Sequence, residues 1–389
     1  MYEFKGLKEI NILHLPKWYP NRTDDLFGIF SKRHIKCTLP HTKPVVVFGT
    51  VDGNLEKTYE IEFNEEEGIP TYRFYYKKRF TKISFLDRLI KIFLYFFLLR
   101  KCIQKIDCKI DLVHVHVMTR SAIYALFMKW TKQIPFIITE HWTIYLPQKR
   151  KYLSSWRRSI SAFLTKRSNY LTTVSNNLLE ALNDLKIFCP NGQAVIGNSI
   201  NTEIFKLYPK EKDGENNNFI TVVEFNEEAK NIKGLIKAFE QLKERPYHLH
   251  IVGYGKDEQL VKNYAKEINA SNITFYPKMY AKDLGPFMSS KDCFILNSRV
   301  ENLPCVIIEA HACGLPVIST DVGGIAEMIN EENGVLVTSG NGFELIGTIE
   351  SFHTNQSKYN RNSISKTAIS KYSEQEIGRA FNKIYQDVI

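Results

Sequence analysis

The sequence predicts an α/β protein with two doubly wound, parallel-sheet domains that face each other across a cleft. Short apolar segments alternate with helix-length segments through both halves of the chain, the usual pattern of parallel sheets covered by helices. At 389 residues the chain is too long for a single ordinary core. Because the hydrophilic stretch 209–218 separates the two sets of segments, we predict domains at 1–208 and 219–370 joined by that linker.

Ten apolar segments are predicted as strands, five in each half of the chain. In the first half they are 10–15, 45–48, 112–116, 136–139 and 170–174. In the second half they are 219–223, 249–252, 273–275, 293–296 and 317–319. The segment 371–389 is predicted as a last amphipathic helix, because Ser373 and Glu376 have the spacing of a capping box.

The charge is unevenly distributed. The net charge is +10, made of about +14 over residues 1–200 and about −4 over the remainder. A basic half can bind nucleic acid, an anionic membrane or acidic small molecules. We find no zinc-finger, arginine-glycine or aromatic RNA-reading pattern, so a nucleic-acid partner is disfavoured.

The cysteines and the hydropathy indicate a cellular compartment. The seven cysteines form no Cys-x-x-Cys pair, which favours a reducing environment and argues against a zinc site. The first nine residues carry acidic side chains, unlike a signal peptide. The longest uncharged apolar run, 92–99, is far shorter than the roughly 20 residues that span a bilayer. We therefore expect a cytoplasmic protein that does not cross a membrane.

The most specific chemical pattern lies between residues 298 and 318. Pro304 suits the first position of a helix, with Asn302 or Leu303 near its cap. Residues 306–313 have the composition of a buried helix, which ends at the Gly314-Leu315-Pro316 turn.

Two glutamates flank the start of this predicted helix. Glu301 precedes it and Glu309 lies within it, eight residues later and on roughly the same face. The free amides of a first helical turn can hold an anion, and carboxylates on either side accept hydrogen bonds from hydroxyls. A nucleotide sugar offers this sequence of groups: sugar hydroxyls, diphosphate and ribose hydroxyls. The alternative is structural, with Glu301 favouring the helix dipole and Glu309 forming an ion pair.

Together with Asp321-Val322-Gly323-Gly324-Ile325-Ala326-Glu327, the segment resembles the paired-glutamate signature of retaining glycosyltransferases of the glycogen-synthase-like group. These enzymes form glycosyltransferase family 4, "glycosyl transferases group 1", and have the GT-B fold. The resemblance implies that Glu301 contacts the donor sugar and Glu309 the ribose. It also implies that donor binding involves the segment Asn302, Leu303, Pro304, Cys305 and Val306, whose amides would face the diphosphate.

A second resemblance concerns the cations that face the diphosphate. The segment 219–235 is similar to the family's first strand, loop and helix of the donor domain, and Lys230 matches the family's lysine. The resemblance gives Lys230 a catalytic and donor-binding role. However, Glu224-Phe225 replaces the usual Gly-Arg pair, so one cation is missing. Arg299 and Lys233 are candidate replacements, although Lys233 can also be an ordinary solvated lysine.

Two positions of the first half also match the family. Gly28 lies in the loop after the first strand and resembles the glycine beside the donor; a plain turn glycine is the alternative. His141 ends a predicted strand and resembles the histidine that contacts the donor sugar. His114 and His116 lie within a strand and are interpreted as mainly structural, as are Ser175 and Asn198 near the predicted hinge. We find no convincing Asp-x-Asp metal motif, so neither a metal nor another cofactor is expected.

The segment 77–101 is basic at both ends and aromatic in the middle. Such a segment can lie in the interface of an anionic membrane, on the inner face of the plasma membrane for a cytoplasmic protein. It can equally be a core helix with a solvated basic flank. The membrane interpretation would favour a lipid-linked acceptor.

Taken with the resemblance, the sequence predicts a retaining glycosyltransferase of polysaccharide biosynthesis. It would move a hexosyl-type sugar from a UDP- or GDP-sugar to a hydroxyl of a glycan or lipid-linked acceptor. Two alternatives stay open: a GT-B nucleotide-sugar epimerase or phosphorylase, and a non-enzymatic protein that binds membrane or glycan. In GT-B proteins the last helix commonly packs on the first domain, which we expect of residues 371–389.

Overall fold

The structure is a computed structural model that describes residues 10–209 and 217–389. Residues 1–9 and 210–216 lie outside the described residues, and with them the N-terminal segment considered above and most of the predicted linker 209–218. The strands are β1 (Ile10–Pro16), β2 (Thr42–Asp52), β3 (Tyr59–Glu66), β4 (Ile69–Lys77), β5 (Leu112–His116), β6 (Phe136–Glu140), β7 (Tyr170–Thr173), β8 (Gln193–Val195), β9 (Asn217–Glu224), β10 (Tyr247–Tyr254), β11 (Ile273–Tyr276), β12 (Cys293–Leu296), β13 (Val317–Thr320) and β14 (Gly334–Val337).

The helices cover both sheets. They are α1 (Ile29–Cys37), α2 (Ser84–Ile103), α3 (Arg120–Lys132), α4 (Ser155–Thr165), α5 (Asn176–Asp184), α6 (Glu227–Lys230), α7 (Ile232–Gln241), α8 (Glu258–Glu267), α9 (Ala281–Ser289), α10 (Cys305–Ala312), α11 (Gly342–Asn355), α12 (Arg361–Tyr372) and α13 (Glu374–Val388). Short 3₁₀ turns occur at Thr143–Tyr145, Pro147–Tyr152, Ile325–Glu327 and Gln356–Lys358.

The first sheet has the strand order β3-β4-β2-β1-β5-β6-β7-β8. All its pairs are parallel except the β3–β4 hairpin at one edge. The central strands β5 and β6 are buried along their whole length, as strands covered on both faces must be. Each of the five strands predicted in this half is present, and β3, β4 and β8 are additional.

The second sheet has the order β11-β10-β9-β12-β13-β14, and all its pairs are parallel. Here too the five predicted strands are present, and β14 is additional. β9 lies between β10 and β12. The chain first adds β10 and β11 on one side of β9 and then crosses to add β12, β13 and β14 on the other side, so the strand order reverses between β9 and β12. Ligands of open α/β sheets bind beyond the carboxyl ends of the strands at such a point, which directs attention to the loops after β9 and β12.

The last helix, α13, returns to the first sheet. Phe381 and Tyr385 are fully buried against a cluster that includes Ile12 and Leu112. A side chain at Gly378 would place a Cβ 2.1 Å from the carbonyl oxygen of Cys37, so the small residue permits α13 to touch the end of α1. Ser373 caps the helix by accepting a hydrogen bond from the amide of Glu376, which confirms this half of the predicted capping box.

The long helix α2 has two different halves. Its C-terminal half is buried in the first core through residues such as Leu94, Leu98 and Leu99. Its N-terminal half instead exposes large apolar side chains, with Phe85 67% and Phe93 73% accessible. Within residues 10–209 and 217–389, no helix combines the length and apolar character needed to cross a bilayer.

Candidate active site

Glu301 lies at the centre of the loop that follows β12. It is 8% exposed and accepts hydrogen bonds from the Ser298 hydroxyl (2.7 Å) and the Lys230 ammonium (2.5 Å). Lys230 is the last residue of α6, the short helix that follows β9. Since β9 and β12 are adjacent in the sheet, their two following loops meet, and the amide of Arg299 donates to the carbonyl of Ala229 at 2.7 Å. The sequence-predicted Glu301 and Lys230 are therefore an ion pair.

The N-terminus of α10 lies four residues beyond Glu301. Pro304 is the residue before the helix, with extended backbone angles, and α10 begins at Cys305. The prediction of Pro304 as the first helical residue is thus wrong by one position. The amides of Cys305 and Val306 precede any intrahelical acceptor, whereas that of Ile307 bonds back to Pro304 at 3.2 Å. These amides carry the positive end of the helix dipole.

Glu309 is held by a cation from the other domain. Arg33 of α1 donates to the Glu309 carboxylate at 2.5 Å, and the two side chains are 16% and 6% exposed. This carboxylate, together with the Cys305 thiol, raises the pKa of the Arg33 guanidinium against the opposing effect of burial, which is the largest influence. Arg33 is a site residue that the sequence analysis missed, since no local pattern connects it to Glu309.

Asn302 joins the two domains through its side chain. Its amide nitrogen donates to the carbonyl of His141 (3.0 Å), and its amide oxygen accepts from the Ser175 hydroxyl (2.7 Å). Close by, the Asn198 side chain of the first half donates to the carbonyl of Leu303 at 2.7 Å. Asn302 and Leu303 therefore form hydrogen bonds with the first domain that hold the two domains together.

Glu327 adds a further contact between the domains. Its carboxylate accepts hydrogen bonds from the amides of Asn176 and Asn177, both at 2.8 Å, at the start of α5. A carboxylate at a helix N-terminus is stabilised by the helix dipole. At another place along the cleft, Asp25 of the first domain accepts from the Tyr280 hydroxyl (2.8 Å) and from Lys278.

His141 is the last member of a buried group of histidines. The group consists of His14, His34, His114, His116 and His141, and burial lowers the pKa of every imidazole in it, to about 3 for His14 and about 4 for His34. Both ring nitrogens of His114 form hydrogen bonds, Nδ1 with the Tyr385 hydroxyl and Nε2 with the Thr139 hydroxyl. Within this group of five histidines, four buried ring nitrogens lack a partner: His14 Nε2, His34 Nδ1, His116 Nδ1 and His141 Nε2.

These neutral imidazoles have the chemistry of metal ligands. In the sets His14-His114-His116 and His34-His116-His141, one nitrogen from each ring lies within 4.8 Å of the others. Both sets are buried, and His141, which is 8% exposed, is the member that borders Asn302. The absence of a resident metal thus stays a prediction from the sequence.

Gly28 permits the β1–α1 loop to fold back on itself. Its backbone is left-handed (φ 68°), and a Cβ at this position would lie 2.3 Å from the carbonyl carbon of Trp18. Trp18 in turn meets Trp142 edge to face, with ring centroids 5.7 Å apart. Since Trp142 follows His141, the loop that contains Gly28 borders the predicted histidine position.

Arg299 and Lys233, the candidate replacements for the missing Gly-Arg pair, make their contacts away from Glu301. The Arg299 guanidinium donates to the Glu227 carbonyl (2.6 Å) and to the Asn231 side chain, and the Lys233 ammonium lies 5.0 Å from the Tyr264 ring. Phe225 is fully buried in the second core. Neither Arg299 nor Lys233 reaches Glu301 or the start of α10 in this arrangement, whereas Arg33 lies beside that helix.

A cavity of about 420 Å³ opens at the carboxyl ends of the first sheet's strands. Its walls include the aromatic side chains of Trp18, Tyr76, Tyr95 and Trp156. The lining also contains three cationic side chains, those of Lys17, Arg120 and Arg157. It shares Trp18 with the loop that borders His141, so it lies on the first-domain side of the cleft.

Two family sequence patterns match the chain and together cover residues 45–371. The family described as "Glycosyltransferase Family 4" matches residues 45–204, and "Glycosyl transferases group 1" matches residues 204–371. The chain belongs to glycosyltransferase family 4, group 1. The resemblance inferred from the paired glutamates is confirmed, and the two patterns meet at residue 204, close to the undescribed segment 210–216.

Other glycosyltransferases are similar in sequence. An uncharacterised glycosyltransferase of Methanocaldococcus jannaschii is 26% identical over 334 residues, 85% of this chain and 89% of that protein. A GDP-mannose-dependent monoacylated alpha-(1-6)-phosphatidylinositol monomannoside mannosyltransferase of Corynebacterium glutamicum is 33% identical, over 26% of this chain and 29% of its own length.

The solved structures confirm the fold of this family 4 glycosyltransferase. Sucrose-phosphate synthase of Thermosynechococcus elongatus has a TM-score of 0.74 at 15% identity, covering 97% of this chain and 99% of that one. Anabaena HepE in complex with UDP has a TM-score of 0.75 at 17% identity, covering 97% and 100%. The fold is GT-B, as predicted.

Proposed function

We propose that this glycosyltransferase moves a sugar from a UDP- or GDP-sugar to a hydroxyl of a glycan or lipid-linked acceptor, with retention of anomeric configuration, in polysaccharide biosynthesis. The observation that carries the proposal is the Lys230–Glu301 ion pair next to the N-terminus of α10. The relatives named above add support, since one is a GDP-mannose-dependent transferase and another was solved with UDP.

In this proposal the second domain stabilises the leaving diphosphate. Negative charge grows on the diphosphate as its bond to the sugar breaks, and fixed donors at that point lower the barrier. Lys230 and the amides of Cys305 and Val306 are such donors. Glu301 orients the Lys230 ammonium and accepts a hydrogen bond from a sugar hydroxyl, and Glu309 accepts from the ribose.

The first domain completes the site. His141 contacts the donor sugar, and the Gly28 loop approaches donor and acceptor. Arg33 supplies the second cation that Glu224-Phe225 cannot, because its guanidinium already lies beside Glu309 and α10. Lys230 and Arg33 are each paired with a glutamate in this arrangement. We propose that these two cations and the N-terminus of α10 bind the diphosphate when the donor enters, while Glu301 and Glu309 turn to the sugar and ribose hydroxyls, and that turnover is metal-independent.

Retention follows if the acceptor attacks on the face that the diphosphate leaves. The acceptor oxygen bonds to the anomeric carbon as the carbon–phosphate oxygen bond breaks, and the departing phosphate oxygen takes the hydroxyl proton. Atoms and charge balance within the two substrates.

Calorimetric titration with UDP, GDP, ADP and CMP, first without metal and then with Mg²⁺, tests the proposal. We expect one nucleoside diphosphate to bind without metal, and the matching sugar donors to be consumed only with an acceptor. Product without acceptor would indicate an epimerase, and phosphate dependence a phosphorylase. If none of the nucleotides binds, the proposed function is wrong.

We also propose that the first domain associates with an anionic membrane, at the inner face of the plasma membrane. The apolar surface exposed on α2 is flanked by basic residues within 77–91, a combination suited to anionic lipid. Liposome flotation checks this: Phe93→Ser should weaken binding to anionic vesicles, whereas Phe343→Ser, an exposed phenylalanine of the second domain, should not. Equal flotation of both variants with wild type would contradict the proposal.

A further inference from the structure

The cavity of the first domain carries an excess of positive charge. The Arg120 guanidinium lies over the Tyr95 ring (4.5 Å) and 3.4 Å from the Tyr76 hydroxyl, and the Arg157 guanidinium lies over the Trp142 ring (4.7 Å). Across residues 10–209 and 217–389, no carboxylate lies within ion-pair distance of either arginine. Both cations are therefore held by aromatic rings with their charge uncompensated.

Lys17 adds a third positive charge to the same wall. Its ammonium lies 3.1 Å from the centre of the Trp142 ring and 4.4 Å from that of Trp18. Among the described residues, the acidic group that acts on Lys17 is Glu140, whose carboxylate accepts hydrogen bonds from the amides of Met118, His141 and Trp142. The Glu140 carboxylate is therefore already bound by backbone amides. The three cations and this one carboxylate leave the cavity with about two net positive charges, which suits a diphosphate.

One rim of the cavity is apolar and open to solvent. Ile123 and Trp156 line the cavity and are themselves 41% and 72% exposed. From Ile123 the exposed apolar surface continues along α3 through Phe127 and Trp130, which are 50% and 64% exposed. Phe96 of α2 stacks on Tyr124 of α3 at 6.5 Å, so α3 packs against the C-terminal half of α2. A small hydrophilic acceptor would make no use of such a rim.

We infer that this cavity binds the phosphate or diphosphate of a lipid-linked acceptor through Lys17, Arg120 and Arg157, with the hydrocarbon chain leaving over Ile123 and Trp156. The inference rests on the proposed function and names its acceptor class. The aromatic walls suit the first sugar or the start of the chain, and the cations fix the phosphates. The loops at Gly28 and His141 then place the glycan end near the donor.

Binding of farnesyl diphosphate, farnesol and inorganic pyrophosphate to the full chain tests the inference. Tryptophan fluorescence is a suitable readout, because Trp18 and Trp156 line the cavity. We expect farnesyl diphosphate to bind at least 10-fold more tightly than the other two ligands. Arg120→Gln and Arg157→Gln should each weaken it about 10-fold, whereas Arg158→Gln, which removes the same charge from the next position of α4 outside the cavity, should leave it unchanged.

Three results would overturn the inference. Equal affinity for pyrophosphate would mean a small phosphorylated ligand, equal affinity for farnesol would mean that no anion is recognised, and equal loss in Arg158→Gln would mean a general charge effect. Nucleotide titration of the same variants distinguishes an effect on the acceptor cavity from an effect on the proposed donor site. If the nucleotide binds normally and farnesyl diphosphate does not bind, the acceptor inference alone fails; if the nucleotide does not bind either, the proposed function fails too.

Discussion

Arg33 of the first domain donates a hydrogen bond to Glu309 of the second domain at 2.5 Å, in a setting where both side chains are largely buried. A cation and a carboxylate that are 276 positions apart in sequence thus meet at the end of the cleft where the ribose and diphosphate are proposed to bind. A buried ion pair gains little over apolar packing, but removal of one partner leaves the other charge uncompensated. This asymmetry makes the pair sensitive to substitution.

Glu309→Ala should weaken both nucleotide binding and folding. Loss of the carboxylate removes hydrogen bonds to the ribose, and a charged hydrogen bond is worth about 1.5–3 kcal/mol, or roughly 10- to 150-fold in affinity. The unpaired Arg33 should lower the free energy of unfolding by about 3–5 kcal/mol. Calorimetry and urea unfolding measure the two effects. Glu350→Ala, which breaks an exposed pair with Arg245, is the control and should change neither; wild-type affinity in Glu309→Ala would refute the ribose role.

Lys230→Ala and Glu301→Ala should mainly lower kcat. Lys230 acts on charge that develops as the diphosphate leaves, and removal of one such donor typically costs 10²–10³-fold in turnover. Glu301→Ala loses the group that orients the ammonium, so its kcat should fall by a similar factor. Initial rates over a range of donor concentrations separate kcat from KM. Lys233→Ala, three residues away with its ammonium over Tyr264, should retain wild-type kcat, and an equal loss there would show that the effect is not specific to the ion pair.

Asn302→Ala should open the cleft without removing a charge. Both of its side-chain hydrogen bonds cross between the domains, to Ser175 and to the carbonyl of His141. We expect a larger radius of gyration by small-angle X-ray scattering and a fall in kcat/KM of about 10-fold, corresponding to loss of about 1.4 kcal/mol. Asn355→Ala, whose side chain bonds only within its own helix region, is the control. An unchanged scattering profile would mean that other contacts, such as Glu327 with α5, suffice.

The sequence predicted ten strands, among them the edge strand β11, and missed β3, β4, β8 and β14. The edge strands β3 and β8 lack a buried face: β3 is partly exposed and acidic, and β8 is only three residues long and half-buried. Hydrophobic periodicity detects burial, so strands without a buried face give a weak signal.

Residues of the candidate site could be proposed from the sequence where a local motif marks each of them, but not where the fold brings in a residue that no motif marks. Glu301, Lys230 and α10 follow from local motifs, whereas Arg33 has no such signal. The histidine group depends on register: β1 pairs with β5 so that His14 stands opposite His114, and α1 adds His34 from outside the sheet.

Acid should destabilise the fold through the buried histidines. Burial lowers the pKa of His14, His34, His114, His116 and His141, whose ordinary value is 6.5 in the unfolded chain. Since the unfolded state takes up the protons first, the stability contributed by neutral imidazoles is present above pH 6.5 and is lost as the pH falls below it. Each histidine should cost about 1.0 kcal/mol between pH 6.5 and 5.5, and about 1.4 kcal/mol between pH 7.5 and 5.5.

Urea unfolding at pH 7.5, 6.5 and 5.5 measures this loss. A second series with a chelator separates imidazole protonation from the release of any bound metal. A free energy of unfolding that stays constant from pH 7.5 to 5.5 would contradict the burial of these rings as neutral groups.

Binding of a phosphorylated acceptor should weaken at alkaline pH because of Lys17. Burial is the main cause that lowers the Lys17 pKa to about 8; Glu140 opposes the shift, and the positive charges of Arg157 and Arg120 add to it. The ammonium is charged below pH 8 and neutral above it, whereas a phosphate, with a second pKa near 6, is fully ionised throughout this range. The affinity for farnesyl diphosphate should therefore fall about 10-fold between pH 7 and pH 9.5, since one charged contact is lost.

Fluorescence titration with farnesyl diphosphate from pH 7 to pH 9.5 measures this fall in affinity. Lys17→Arg should abolish the fall because a guanidinium stays protonated, and a flat profile in the wild-type protein would show that Lys17 does not contact the anion.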